Sequence, residues 1–150
     1  MEYQVTVQAV AEQPVAAARQ RTTFKLVSQQ IGDLLSRPWA FLRERDGLRT
    51  DGHNVAIYWD EAGEGSIEVG VQVVCRFAGS TEVVCSATPA GTVAITSHFG
   101  PYDQLRTAHE AVRKWCRQNG HQIVLPFWEV YGDWDENPAR LRTDVVYRLK

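Results

Sequence analysis

One carboxylate stands in the most apolar stretch of this 150-residue chain. Ile123-Val124-Leu125-Pro126-Phe127-Trp128-Glu129-Val130-Tyr131 is greasy throughout except at Glu129. A carboxylate in such surroundings loses hydration, which is costly unless a cation or a hydrogen-bond donor meets it. The sequence names no internal partner, so a ligand is expected to supply one. Strand side chains alternate between faces. Phe127, Glu129 and Tyr131 therefore share one face, and Trp128 and Val130 take the other. Aromatic faces attract cations by about 0.5–2 kcal/mol each, and a sheltered carboxylate adds to that pull. Burial alone would raise its pKa, by up to ~3–5 units in extreme cases, and a bound cation would reverse the shift. The expected ligand is flat, greasy and positively charged. Its expected contacts are Glu129, Tyr58, Tyr131, Phe127 and Trp39, the last because it follows a helix break at Pro38. A lone glutamate on a strand, above all at a sheet edge, is also compatible with plain solvation, and tyrosines in such positions are more often core or rim residues than ligand contacts.

Other chemistries lack support. The four histidines, His53, His98, His109 and His121, show no metal-ligand spacing and read as surface or capping residues. No metal and no cofactor is expected. GxxxxGK[ST], GxGxxG and GxSxG are all absent. The formal net charge is -2 with scattered Lys and Arg, which argues against nucleic acid. No apolar run approaches a membrane span, and no signal peptide opens the chain. Cys75, Cys85 and Cys116 form no CxxC pair, so reduced thiols and a cytoplasmic location are expected. Glu68 reads as an outward strand residue, and Trp59, Trp115 and Trp134 as structural.

The elements that must position these residues are written twice. Gly47 is followed by Tyr58 and Asp60, and Gly120 by Tyr131 and Asp133, with the same spacing and an offset of 73 positions. In the second copy, Val93–His98 reads as a strand. Gly100-Pro101 then punctuates the chain. Leu105, Ala108, Val112 and Trp115 give one buried stripe of an amphipathic helix. Asn119-Gly120 ends that helix, and strands follow over Ile123–Tyr131 and Arg142–Leu149. In the first copy, Tyr3–Val10 reads as a strand. A helix follows the Thr22-Thr23 cap, with Phe24, Val27, Ile31, Leu34 and Leu35 in helical period. Pro38 should kink or interrupt it. Val55–Trp59 and Ile67–Val73 read as strands, and Glu82–Ala87 as a further short one. Asp60–Ser66 and Gly132–Ala139 read as loops.

The expected fold is α+β. Residues 1–150 form one domain of two strand-helix-strand-strand units, about 1–77 and 81–150. A pseudo-twofold axis relates them, and an antiparallel sheet with two main helices encloses a central cleft. Tyr58 and Tyr131 match between copies, whereas Glu129 stands where the first copy has Ala56. An acid found in one half only is a better candidate for function than a residue found in both. With the Val130 face packed on the helix, the Glu129 face would line the cleft.

His98-Phe99-Gly100-Pro101-Tyr102, the helix after it, Asn119-Gly120 and Trp128-Glu129-Val130-Tyr131 together resemble the GyrI-like small-molecule-binding family. Ile67-Glu68-Val69-Gly70-Val71, Pro89-Ala90-Gly91 and Tyr58 extend the resemblance over nearly the whole chain. It implies the duplicated fold of the effector-binding domains of BmrR-type multidrug regulators. There the glutamate of the Glu-Val-Tyr element meets cationic aromatic drugs, a role that carries over to Glu129 and, by position, to Tyr58. Tyr131 and Phe127 follow from strand parity. No helix-turn-helix accompanies the domain, so a stand-alone multidrug-binding module is expected rather than a one-protein transcription switch. The resemblance also implies an alternative, since some members are hydrolases that open the cyclopropane of DNA-alkylating natural products. Glu129 would then be general acid/base, and Tyr58 would position water or stabilise charge. Another member inhibits DNA gyrase, but the charge pattern here gives a gyrase partner no support. Haem, bound by the related SOUL family, has no ligand in this sequence.

Overall fold

The computed structural model describes residues 2–60 and 64–150, without the side chains of residues 23–25, 27, 28 and 64. Among the described residues, eight strands and two α-helices follow one another. They are β1 (Thr6–Val10), β2 (Gln13–Thr23), α1 (Phe24–Arg43), β3 (Asn54–Tyr58), β4 (Glu64–Gln72), β5 (Val84–Thr88), β6 (Gly91–Phe99), α2 (Leu105–Gln118), β7 (Ile123–Tyr131) and β8 (Arg142–Leu149). All strands join one antiparallel sheet in the order β1-β6-β8-β7-β3-β4-β2-β5. The order reads the same from either edge once each strand is exchanged for its repeat mate: β2 for β6, β3 for β7, β4 for β8. That is the pseudo-twofold of an α+β duplication, as the repeat implied. Gly47 and Gly120, which mark the repeat, both take a left-handed backbone, with φ +82° and +73°. A β-carbon disfavours that conformation.

The axis can be located from register. At the β3–β7 seam, Ala56 pairs with Glu129, flanked by Asn54 with Tyr131 and Tyr58 with Phe127. An offset of 73 carries each flanking pair onto the other and the Ala56–Glu129 pair onto itself. Glu129 therefore sits at the centre of pseudo-symmetry, opposite the smallest side chain that could face it.

Three expectations are corrected. The leading strand of the first unit is β2, which sequence reading missed, and not Tyr3–Val10. β1 instead crosses to pair with β6 of the second unit, and β5 pairs with β2 of the first. Val15-Ala16-Ala17-Ala18 is wholly buried, with successive residues in different clusters on the two faces of the sheet. Alanine is a weak strand former, and burial on both faces erases alternation. Thr22 and Thr23 accordingly end a strand that leads directly into α1, and the expected cap by Thr23 falls on a side chain outside the described ones. Second, Pro38 does not interrupt α1, which continues to Arg43. Proline removes a helix hydrogen bond at about 3 kcal/mol. Burying Leu34, Phe41 and Leu42 on either side offsets it at ~1.5–3 kcal/mol each. Third, Glu64–Ser66 belong to β4 rather than a loop, while residues 61–63 of that expected loop lie outside the described residues.

The helices also cover the opposite face from the one expected. α1 packs on β2 and β4, and α2 on β6 and β8. Ala56, Tyr58 and Phe127 lie on that face, in one cluster with Leu34, Leu105 and Val112. The Val130 face instead closes on itself. Val15, Ile57, Val93, Trp128 and Val146 form one cluster there, joining strands from near both ends of a curled sheet. The central strands β3 and β7 thus lie between the two helices, leaving a trough above the Ala56–Glu129 pair.

Glu68 is a further correction. It is fully buried on the other face, and its carboxylate accepts from Arg19 Nη2 (2.9 Å) and Nε (3.2 Å), Ser86 Oγ (2.6 Å) and Trp59 Nε1. With four donors gathered around it, the charge is satisfied internally. Cys75, Cys85 and Cys116 are free thiols.

Candidate functional site

A cavity of about 800 Å³ fills the trough. Its size is in the range of small-molecule pockets. β3 and β7 supply the floor through Tyr58, Glu129 and Tyr131. α1 supplies one wall through Ile31 and Leu35, and α2 the other through Leu105, Arg106, His109 and Arg113. Tyr102 and Trp134 stand at the mouth, Trp134 73% exposed.

Glu129 is 5% exposed. Its Oε1 accepts from Tyr131 Oη (2.7 Å) and Tyr58 Oη (3.1 Å), and Oε2 lies 2.7 Å from His109 Nε2. His109 Nδ1 lies 2.7 Å from Tyr147 Oη. The carboxylate therefore does have internal partners, and the expectation of none was wrong. Burial acts most strongly on its pKa and pushes it upward. The His109 hydrogen bond and charge, with the Tyr131 and Tyr58 hydroxyls, outweigh that and hold it below the ordinary carboxylate value. Burial and the adjacent Glu129 charge push the Tyr58 and Tyr131 phenols well above their usual value, so both remain donors. Burial also raises Tyr147, against the opposing influence of Arg113.

This arrangement fixes a pH dependence. Glu129 is depressed in the folded state, so its contribution to stability is complete above the unfolded value of about 4.3. The contribution is lost as pH falls through the lower folded value, because the unfolded chain takes up the proton first. The stability gap between the wild type and Glu129→Gln should accordingly narrow as urea unfolding is moved from neutral pH to pH 3. A gap that does not change with pH would refute the ionised assignment.

Below the floor, three rings stack across neighbouring strands. Tyr58 lies on Phe127 (4.9 Å between centroids, 11°) and Phe127 on Tyr147 (4.9 Å, 8°). Register explains the stack: Phe127 faces Tyr58 on β3 and Tyr147 on β8. Proline cannot donate to a ladder, and the β7–β8 register shifts between Val124 and Phe127, around Pro126. Phe127 is thus a support beneath the floor rather than a wall, 3% exposed.

Of the five contacts expected from sequence, the structure gathers Glu129, Tyr58 and Tyr131 in the cavity, with Phe127 behind them. Trp39 is not among the cavity's described lining residues. It packs beside Phe41 and Leu42 and donates from Nε1 to Asn54 Oδ1 (3.0 Å), and Asn54 is itself in the cavity lining. His109 was missed because it was read as a surface residue. The signal was present: it lies four residues after Leu105 and three before Val112, both buried, which puts it on the inner helix face. Trp134 is a mouth residue rather than a structural one. No group of three or more metal-ligating side chains occurs among the described residues, and no described helix is long and apolar enough to cross a membrane.

The family model for GyrI-like small molecule binding domains matches residues 3–150. No curated protein is similar enough in sequence to count as a relative. Among solved structures, the EcmrR C-terminal domain superposes with TM-score 0.84 at 21% identity, covering 100% of this chain and 99% of that one. In the EcmrR–DNA complex, the match covers 99% of this chain and 57% of that one. SAV2435 bound to tetraphenylphosphonium gives TM-score 0.68 at 17% identity, covering 100% and 94%. A hydrolase from Listeria innocua gives 0.63 at 10%, covering 98% and 92%. At these identities the likeness to solved structures is one of fold.

Proposed function

The chain belongs to the GyrI-like small molecule binding domain family, and on that basis we propose that its cavity binds amphipathic aromatic molecules, cationic ones included. The observation that carries this reading is a glutamate, 5% exposed, on the floor of an aromatic-lined cavity of about 800 Å³, where three hydrogen-bonding neighbours favour its charged form. Tyr58, Tyr131 and Tyr102 offer ring faces and edges, Ile31 and Leu35 an apolar wall, and Glu129 a buried negative charge, the one such charge among the described lining residues. Preformed apolar cavities with few polar groups accept varied ligands, which suits a cytoplasmic module taking up several drugs and contributing to resistance. SAV2435, of the same fold, holds tetraphenylphosphonium, so that cation is the natural probe. The test compares it with neutral triphenylphosphine oxide on the wild type and on Glu129→Gln. Loss confined to the cation supports the reading, and equal loss for both defeats it.

A second reading is favoured by the His109–Glu129 contact, which places a proton acceptor and donor side by side in the cavity. In a hydrolase, His109 or Glu129 would activate water against a strained electrophile such as an alkylating cyclopropane, and Tyr58 would stabilise developing charge. Incubation with a cyclopropane-bearing alkylator followed by mass analysis should then yield a water adduct, at a rate lowered by Glu129→Gln. An adduct no more abundant than without protein would remove this reading for that substrate class.

A further inference from the structure

Resting on that reading of the cavity, we propose that its ligands include aromatic acids, whose carboxylate or sulfonate is received by the Arg113 guanidinium. The two long walls differ in kind. α1 presents Ile31 and Leu35, whereas α2 presents Arg106, His109 and Arg113 at steps of three and four, along one side of the helix. The floor carboxylate is already engaged, Oε1 by two tyrosine hydroxyls and Oε2 by His109. Arg106, exposed, pairs with Glu110 at 3.1 Å. Arg113 is half-buried and forms no ion pair among the described residues. Its Cζ lies 5.4 Å and 5.6 Å from the Tyr147 and Phe127 ring centroids. A guanidinium resting on rings is held in place, and its planar fork matches carboxylate and sulfonate oxygens. Asp103, also on the lining, is exposed and forms no ion pair with Arg113. An aromatic body over the tyrosines can therefore direct an acidic group to α2. A molecule carrying both charges would use Arg113 and the Glu129 floor together.

Two fluorescent dyes with one ring system separate this from the cavity reading: anilinonaphthalene sulfonate and its neutral counterpart phenylnaphthylamine. Each is titrated into the wild type, Arg113→Gln and Arg113→Lys, with tetraphenylphosphonium added to displace dye bound in the cavity. The displaceable sulfonate dye should lose about tenfold in affinity with Arg113→Gln, and recover in part with Arg113→Lys. The neutral dye should change by less than about twofold, which also certifies that the variant is folded. Equal loss of both dyes, or no loss of either, overturns the role of Arg113 while the cavity reading stands. If neither dye nor tetraphenylphosphonium binds the wild type, both readings fall.

Discussion

Glu129→Gln is expected to weaken tetraphenylphosphonium binding by about 10- to 100-fold, roughly 1.4–2.7 kcal/mol, while triphenylphosphine oxide changes by less than about twofold. Two unit charges 4 Å apart attract by ~4 kcal/mol at an effective dielectric of 20. The full figure will not be realised, because Oε1 and Oε2 already take three donors and Arg113 opposes a cation from α2. The substitution should be tolerated structurally. The glutamine oxygen can accept from His109 Nε2 in place of Oε2, and its NH2 can donate to the Tyr131 and Tyr58 hydroxyl oxygens, so the neighbours keep their partners. A neutral ligand of similar shape therefore meets nearly the same surface. Calorimetric titration of both compounds against both proteins measures the difference, and parallel losses would show that shape rather than charge was removed.

The symmetry of the fold was readable because it is written locally. Two glycines need positive φ, two strands end at tyrosine, and the offset of 73 aligns them. Glu129 stood out for the same reason, as the break in the match with Ala56. What was not readable depends on which surfaces meet. Both faces of β7 are apolar apart from Glu129, so parity sorts its residues into two sets without saying which set the helices cover. β2 hides behind alanines because its neighbours on both sides, β4 and β5, are remote in sequence. Glu68 looked like a solvated strand residue because its partners, Arg19, Trp59 and Ser86, come from three other segments. His109 lies between these cases. Its helical spacing from Leu105 and Val112 was local information, whereas its contact with Glu129 required α2 to dock beside β7.

The same distinction between floor and support sets the outcome for Phe127. Phe127→Ala should destabilise the fold by about 3–5 kcal/mol, lowering the melting temperature by on the order of 10 °C for a chain of this size. A ring lining the cavity could be truncated at little cost, since surface changes usually stay within about 0.5 kcal/mol. Phe127 instead fills the space between Tyr58 and Tyr147 and meets His109 edge-on at 5.8 Å. Removing it leaves a void under two of the groups that hold the Glu129 carboxylate. Urea unfolding reads the loss as a lower midpoint with unchanged slope. A milder Phe127→Leu keeps the fold and isolates the second consequence. With Tyr58 and His109 less firmly held, more of the binding energy goes into ordering them, so affinity should fall for cationic and neutral ligands alike. A stable Phe127→Ala protein that loses only ligand affinity would return Phe127 to the cavity wall.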